Sequence, residues 1–232
     1  MVYEVYKDLT ELKFVSRVEQ ILEELGGSIR WDCEPGEGER PLITNHRDGC
    51  LSAFFEDDQV GQLTNPLADL IGGLRLTLFT LGSSHWYYSL TQGGTVLDKF
   101  DVYWNRTHRE PEDQRRSAGQ PELFAEHWGV PIASVEDYIV GWDPEPGDER
   151  WGAFQEVGRT FARPGDRSPY GHAWQFTDFL SSIGVPLAGV GVEGARVHAF
   201  RFPGMHIPHW DEPKRTWFGR VRDSLSRWVS IR

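Results

Sequence analysis

Residues 74–104 read LRLTLFTLGSSHWYYSLTQGGTVLDKFDVYW, and this stretch decides the fold. Leu74, Leu76 and Leu78 alternate with Arg75 and Thr77, the period of two that marks a strand with one buried face. His85 to Thr91 is a second strand, carrying Trp86, Tyr87, Tyr88 and Leu90. Thr95 to Trp104 is a third. Between the last two lies Gln92-Gly93-Gly94, a tight turn whose glycines are free to take positive φ. The three runs predict an antiparallel meander.

Upstream, Leu9, Leu12, Val15, Val18, Ile21, Leu22 and Leu25 recur at helical spacing. Asp8 and Glu11 read as a capping box at the start of this helix, and Gly26-Gly27 ends it. Ser28–Cys33, Leu42–Thr44 and Cys50–Phe55 read as strands, and Asn65-Pro66 as the start of a short helix. Downstream, residues 105–119 are polar, carry both charge signs and read as a surface loop. Helices are expected over Pro121–Trp128, Val135 to about Trp142 (capped by Ser134 and Asp137), and His172–Ile183, with a strand over Ala195–Phe202. The last stretch, 216–232, is amphipathic, with Trp217, Val221, Leu225 and Trp228 beside Arg220, Arg222 and Arg227. The expected class is α+β: an antiparallel sheet with its meander around 74–104 and helices mainly on one side. A single domain over 1–232 is the simplest division, because neither half alone shows a complete sheet with cover. A subdomain boundary, where one exists, falls near 105–119.

Composition narrows the setting. The 232 residues include 10 Trp and are 13% aromatic, so aromatic slabs must fill much of the core. Met1 to Asp8 lack the basic-then-apolar layout of a signal peptide, and no apolar run approaches the roughly 18 residues of a membrane span. Two cysteines, Cys33 and Cys50, read as free thiols. A cytoplasmic protein with no cofactor and no membrane span is expected. The net charge is −11, unevenly spread. Residues 194–232 carry eight basic and three acidic side chains, a balance of +5, which leaves −16 for the remainder. Such a body repels nucleic acid and suits a basic partner. Nucleic acid or a membrane surface has a foothold only at the basic C-terminal helix, whose apolar stripe is expected to dock on the protein's own acidic body.

No complete catalytic signature is present: no phosphate loop, no GxSxG elbow, no HExxH and no paired CxxC. His85, Asp98 and Asp101 are the candidates for acid–base work, since the hairpin register sets the imidazole near a carboxylate. Ser83 and Ser84 precede His85 without an elbow or an oxyanion device. His206, His209 and Asp211 are the candidate metal ligands, but Pro208 sets them in a turn, and no bound metal is expected. Binding chemistry has more support. Successive aromatics on a strand point to opposite faces. Trp86, Tyr88 and Trp104 are the candidates for an outward aromatic surface. The acidic loop between Trp142 and Trp151, with Asp143, Glu145, Asp148 and Glu149, is the second candidate surface for a basic protein. The expected function is therefore a non-catalytic protein-binding module of inhibitor, immunity or regulatory-subunit type. The alternatives are a small hydrolase or metal enzyme built on His85/Asp98 or His206/His209, and a nucleic-acid accessory protein acting through the C-terminal helix.

Overall fold

Eight antiparallel strands and several helices make up the described chain, the α+β class expected from the alternation in 74–104. A computed structural model describes residues 2–55, 63–67, 72–81, 85–103, 110–141, 161–169, 172–189 and 191–203. The chain divides into two compact units, residues 1–75 with 186–232, and residues 76–185. No described helix is long and apolar enough to cross a membrane.

The first unit contains β1 (Val2–Lys7), α1 (Glu11–Glu24), β2 (Ser28–Arg30), β3 (Arg40–Arg47), β4 (Cys50–Phe55) and β8 (Arg196–Arg201), its strands in the order β2-β8-β3-β4-β1. The helix forms because its apolar residues share one face: Phe14, Val18, Ile21 and Leu22 are buried against Tyr6, Leu42, Leu51, Ala53 and Phe55. Each such side chain contributes about 1.5–3 kcal/mol on burial. Leu12 faces solvent instead, 83% exposed. The N-cap is Thr10, whose Oγ1 accepts from Lys13 N at 3.3 Å, and not Asp8. Asp8 is occupied earlier, at φ 58° in the turn that ends β1, where its N–H donates to Gly49 O. At the far end Gly27 is required by contact: a Cβ there would lie 2.4 Å from Arg201 O.

β1 escapes the sequence reading because Glu4 and Lys7 give Val2–Lys7 a polar look. Glu4 is in fact fully buried and held by the forked guanidinium of Arg75, with both bonds at 2.6 Å. The opposite face of these strands is covered by the chain after Pro186. Tyr3 Oη donates to Pro186 O, and Asn45 Nδ2 donates to Leu187 O at 2.9 Å and Glu193 O at 3.1 Å.

The second unit holds most of β5 (Leu74–Leu81), then β6 (His85–Gln92), β7 (Thr95–Asp101), α2 (Pro111–Arg116), α3 (Pro121–Trp128), a 3₁₀ turn over Ile132–Ser134, and α4 (Gln175–Ser182). The strand order is β5-β6-β7. Gly93 and Gly94, at φ 55° and 80°, form the two-residue hairpin loop. β7 ends at Asp101 rather than Trp104. The loop expected over 105–119 contains α2, which buries no side chain and so leaves no apolar period to read. The helix expected from Val135 is also corrected. Pro131 starts a 3₁₀ turn, and Ser134 Oγ bonds back to Pro131 O at 2.7 Å instead of capping forward. The segment 216–232 lies outside the described residues, and so does its expected docking.

Candidate partner-binding face

The β6–β7 pairing sets the faces of the meander. Tyr88 opposes Phe100 and Leu90 opposes Asp98, while Tyr87 opposes Asp101 and Ser89 opposes Lys99. Leu97 is then skipped, a β-bulge that leaves Val96 opposite Thr91.

The first set points inward. Trp86 is fully buried and Tyr88 is 1% exposed. Trp86 packs at 5.1 Å from Phe100 and 5.7 Å from Phe179, and Tyr88 at 5.3 Å from Phe124 and 6.0 Å from Phe179. Trp86 and Tyr88 therefore belong to the core and not to a partner surface, a correction to the sequence reading. The helices that carry Phe124 and Phe179 supply the cover. Burial also pushes the Tyr88 phenol well above its ordinary range, with the nearby Asp98 carboxyl adding to the effect.

The outward set is different in kind. Phe79 and Tyr87 are half-buried and stack with ring centres 4.7 Å apart and planes 10° from parallel. His85 stands edge-on to Tyr87 at 5.7 Å and to Tyr103 at 5.2 Å. Its Nε2 lies 2.8 Å from Asp101 Oδ1, which also accepts from Tyr103 N at 2.8 Å. Leu81 and Val96 are 58% and 48% exposed. A groove of about 840 Å³ runs beside β7, with Phe79, Tyr87, Ser89, Lys99, Asp113 and Arg116 among its walls. Burial followed by the Asp101 charge raises the Tyr87 phenol.

Of the three acid–base candidates, the structure joins His85 to Asp101 and separates both from Asp98. Asp98 points inward, 4% exposed, where it accepts from Tyr88 Oη at 2.6 Å and from Gln120 N at 2.9 Å. Its carboxyl is raised by burial, against the hydrogen bonds that lower it. Trp104, Trp142, Asp143, Glu145, Asp148, Glu149 and Trp151 lie outside the described residues, as do Ser83, Ser84, His206, His209 and Asp211. Cys33 and Cys50 are not joined in a disulfide, and Cys33 Sγ sits 3.3 Å from Arg30 O.

Phe79 and Tyr87 are the site residues that the sequence reading leaves out of its partner surface. Strand parity carries the signal that finds them. Leu90 marks the buried side of β6, Tyr88 and Trp86 share its parity, and Tyr87 therefore faces the other way. On β5 the buried Leu74, Leu76 and Leu78 turn Phe79 and Leu81 outward in the same manner. Set against protein families, curated proteins and solved structures, the chain matches none of them.

Proposed function

We propose that the chain is a non-catalytic binding module that takes a basic protein partner on the outward face of β5, β6 and β7, in the manner of an inhibitor, immunity or regulatory subunit. The observation that carries this reading is the half-exposed Phe79–Tyr87 stack, with Leu81 and Val96 exposed on the same strands. Rigid aromatic rings lose little entropy on contact and dominate binding energy at interfaces. The charge of the unit supports the sign of the partner. Residues 76–185 hold sixteen acidic and nine basic side chains, and such a surplus steers a basic protein inward. Capture from the native cell at low and high salt tests the proposal, with wild type beside Tyr87→Ala. A stoichiometric basic protein is expected with the wild type, weaker at high salt and weaker again with the variant. No stoichiometric protein at either salt contradicts it.

A second reading rests on the His85–Asp101 hydrogen bond. A carboxylate on Nε2 fixes the ring and leaves Nδ1 as the basic nitrogen, the arrangement a general base needs. Its test is a panel of small esters and amides: turnover by the wild type that His85→Asn abolishes favours an enzyme. Absence of turnover across the panel leaves the binding module as the preferred account.

A further inference from the structure

β8 lies between β2 and β3, so the chain that joins those two strands, residues 31–39, must pass over it. The far end of this strap is tied by Glu39, which Arg30 holds with two bonds and to which Gly36 N donates at 2.7 Å. The near end rests on His198 of β8. Trp31 stands edge-on to the His198 ring at 4.6 Å and donates from Nε1 to Glu19 Oε1 at 2.8 Å. Asp32 N donates to His198 Nδ1 at 3.0 Å. The ring is buried, while the Asp32 side chain is half-exposed. These partners fix the tautomer. A backbone amide only donates, so Nδ1 carries a lone pair and the ring proton sits on Nε2, facing Thr44 Oγ1 at 2.8 Å. A second proton has one place to go, Nδ1, and there it meets the Asp32 N–H. The Asp32 carboxylate is the replacement at hand, with Oδ1 3.8 Å from Nδ1.

We propose that His198 is a proton-operated catch for the strap: the neutral ring holds Asp32 by its amide, and the protonated ring takes the carboxylate instead and frees the start of the strap from β8. Two features prepare the exchange. Asp32 sits at φ 54°, a left-handed conformation that costs a non-glycine residue and that the bond to His198 helps to hold. Arg196 forks onto the Asp32 carboxylate and also bonds Glu11, which keeps that carboxylate occupied while the ring is neutral. Every element packed here brings charge. The strap brings Asp32, β8 brings Arg196, α1 brings Glu11 and Glu19, β3 brings Arg40 beside the neutral Thr44, and Arg30 of β2 is spent on Glu39. Burial pushes the imidazole down to about 4, with Asp32 raising it and Arg196 lowering it, so the catch is shut at neutral pH and opens in acid. The strap belongs to the first unit and the Phe79–Tyr87 stack to the second, so neither proposal leans on the other.

The test follows the full-length chain by nuclear magnetic resonance from neutral pH into acid, wild type beside His198→Asn. The Asn Oδ1 stands in for Nδ1 as an acceptor but takes no proton. At neutral pH the His198 ring is expected to carry its proton on Nε2. In acid the Asp32 amide is expected to shift with the same midpoint as the ring. Past that midpoint its exchange, corrected for pH, should run at least about tenfold faster while the amides of β3 and β8 stay protected. His198→Asn should hold the Asp32 amide through the same range. A ring proton on Nδ1 at neutral pH overturns the proposal. So does an Asp32 amide that stays put as the ring titrates, the same loosening in His198→Asn, or loss of the Asp32 amide only together with those of β3 and β8. Should His198→Asn fail to fold, the wild type decides alone. A midpoint shared by the ring and the Asp32 amide, with β3 and β8 intact, supports the catch, and separate midpoints overturn it.

Discussion

Trp86 and Tyr87 are neighbours in sequence and opposites in fate, because the pleat of a strand turns each to its own face. The first is walled in by Phe100 and Phe179, and the second stacks on Phe79 at the surface. Trp86→Ala is therefore expected to cost about 3–5 kcal/mol of stability in urea unfolding. Tyr87→Ala is expected to cost no more than about 1 kcal/mol while removing partner binding. The reverse order would mean that the two faces have been exchanged. Two buried titratable groups make a second prediction. Burial pushes the Asp178 carboxyl up to about 6, against the amides of Ser168 and Arg167 that bond its Oδ2. The folded chain thus holds this proton where the unfolded chain has released it, and stability from Asp178 falls as pH rises from about 4 to 6. Burial pushes His198 down to about 4, while its Nδ1 accepts from Asp32 N at 3.0 Å and its Nε2 lies 2.8 Å from Thr44 Oγ1. That sign is opposite: the unfolded chain takes the proton first, and stability is lost as pH falls from about 6.5 towards 4. Each effect is on the order of 1–3 kcal/mol. Asp178→Asn keeps an acceptor for the Ser168 amide and should raise the melting temperature at pH 8 but not at pH 4. An unchanged melting temperature at pH 8 would show that Asp178 is not the strained carboxyl.

At the scale of elements, the sequence is legible wherever an apolar period meets a glycine. α1 shows its period in Phe14, Val18, Ile21 and Leu22, and the β6–β7 hairpin shows its turn in Gly93-Gly94. Three elements were hidden for separate physical reasons. β1 carries Glu4, whose charge is cancelled by an arginine 71 residues away, a pairing that no local window contains. α2 has no buried face to give it a period. The segment after Pro131 looks like a capped helix, but Ser134 spends its hydroxyl on the preceding turn. The covered face of the meander is hidden for a related reason: local alternation separates two faces, and only Phe124 and Phe179, far along the chain, show which one is covered. The hairpin turn yields a direct check. Gly94 has no atom within 4 Å of a Cβ position, so Gly94→Val tests backbone strain alone. It should cost about 1–3 kcal/mol, because a β-branched residue resists φ 80°. Unchanged thermal stability would remove the turn from that position.

For the molecule as a whole, charge and exposure are the two features on which the proposed recognition rests. The net charge is −11, and sixteen acidic side chains lie in the unit that presents the Phe79–Tyr87 stack. Leu81, 58% exposed at the end of β5, lies on that face, whereas Leu12, 83% exposed on α1, belongs to the other unit. These two positions form a matched pair of probes, both exposed leucines that the fold does not need. The most direct measurement places a photo-crosslinking amino acid at position 81 or at position 12, irradiates living cells, and identifies the adducts by mass. The account predicts a single stoichiometric adduct with a basic protein from position 81, weakened by Tyr87→Ala, and none from position 12. No adduct from position 81, or the same adducts from both positions, would contradict it.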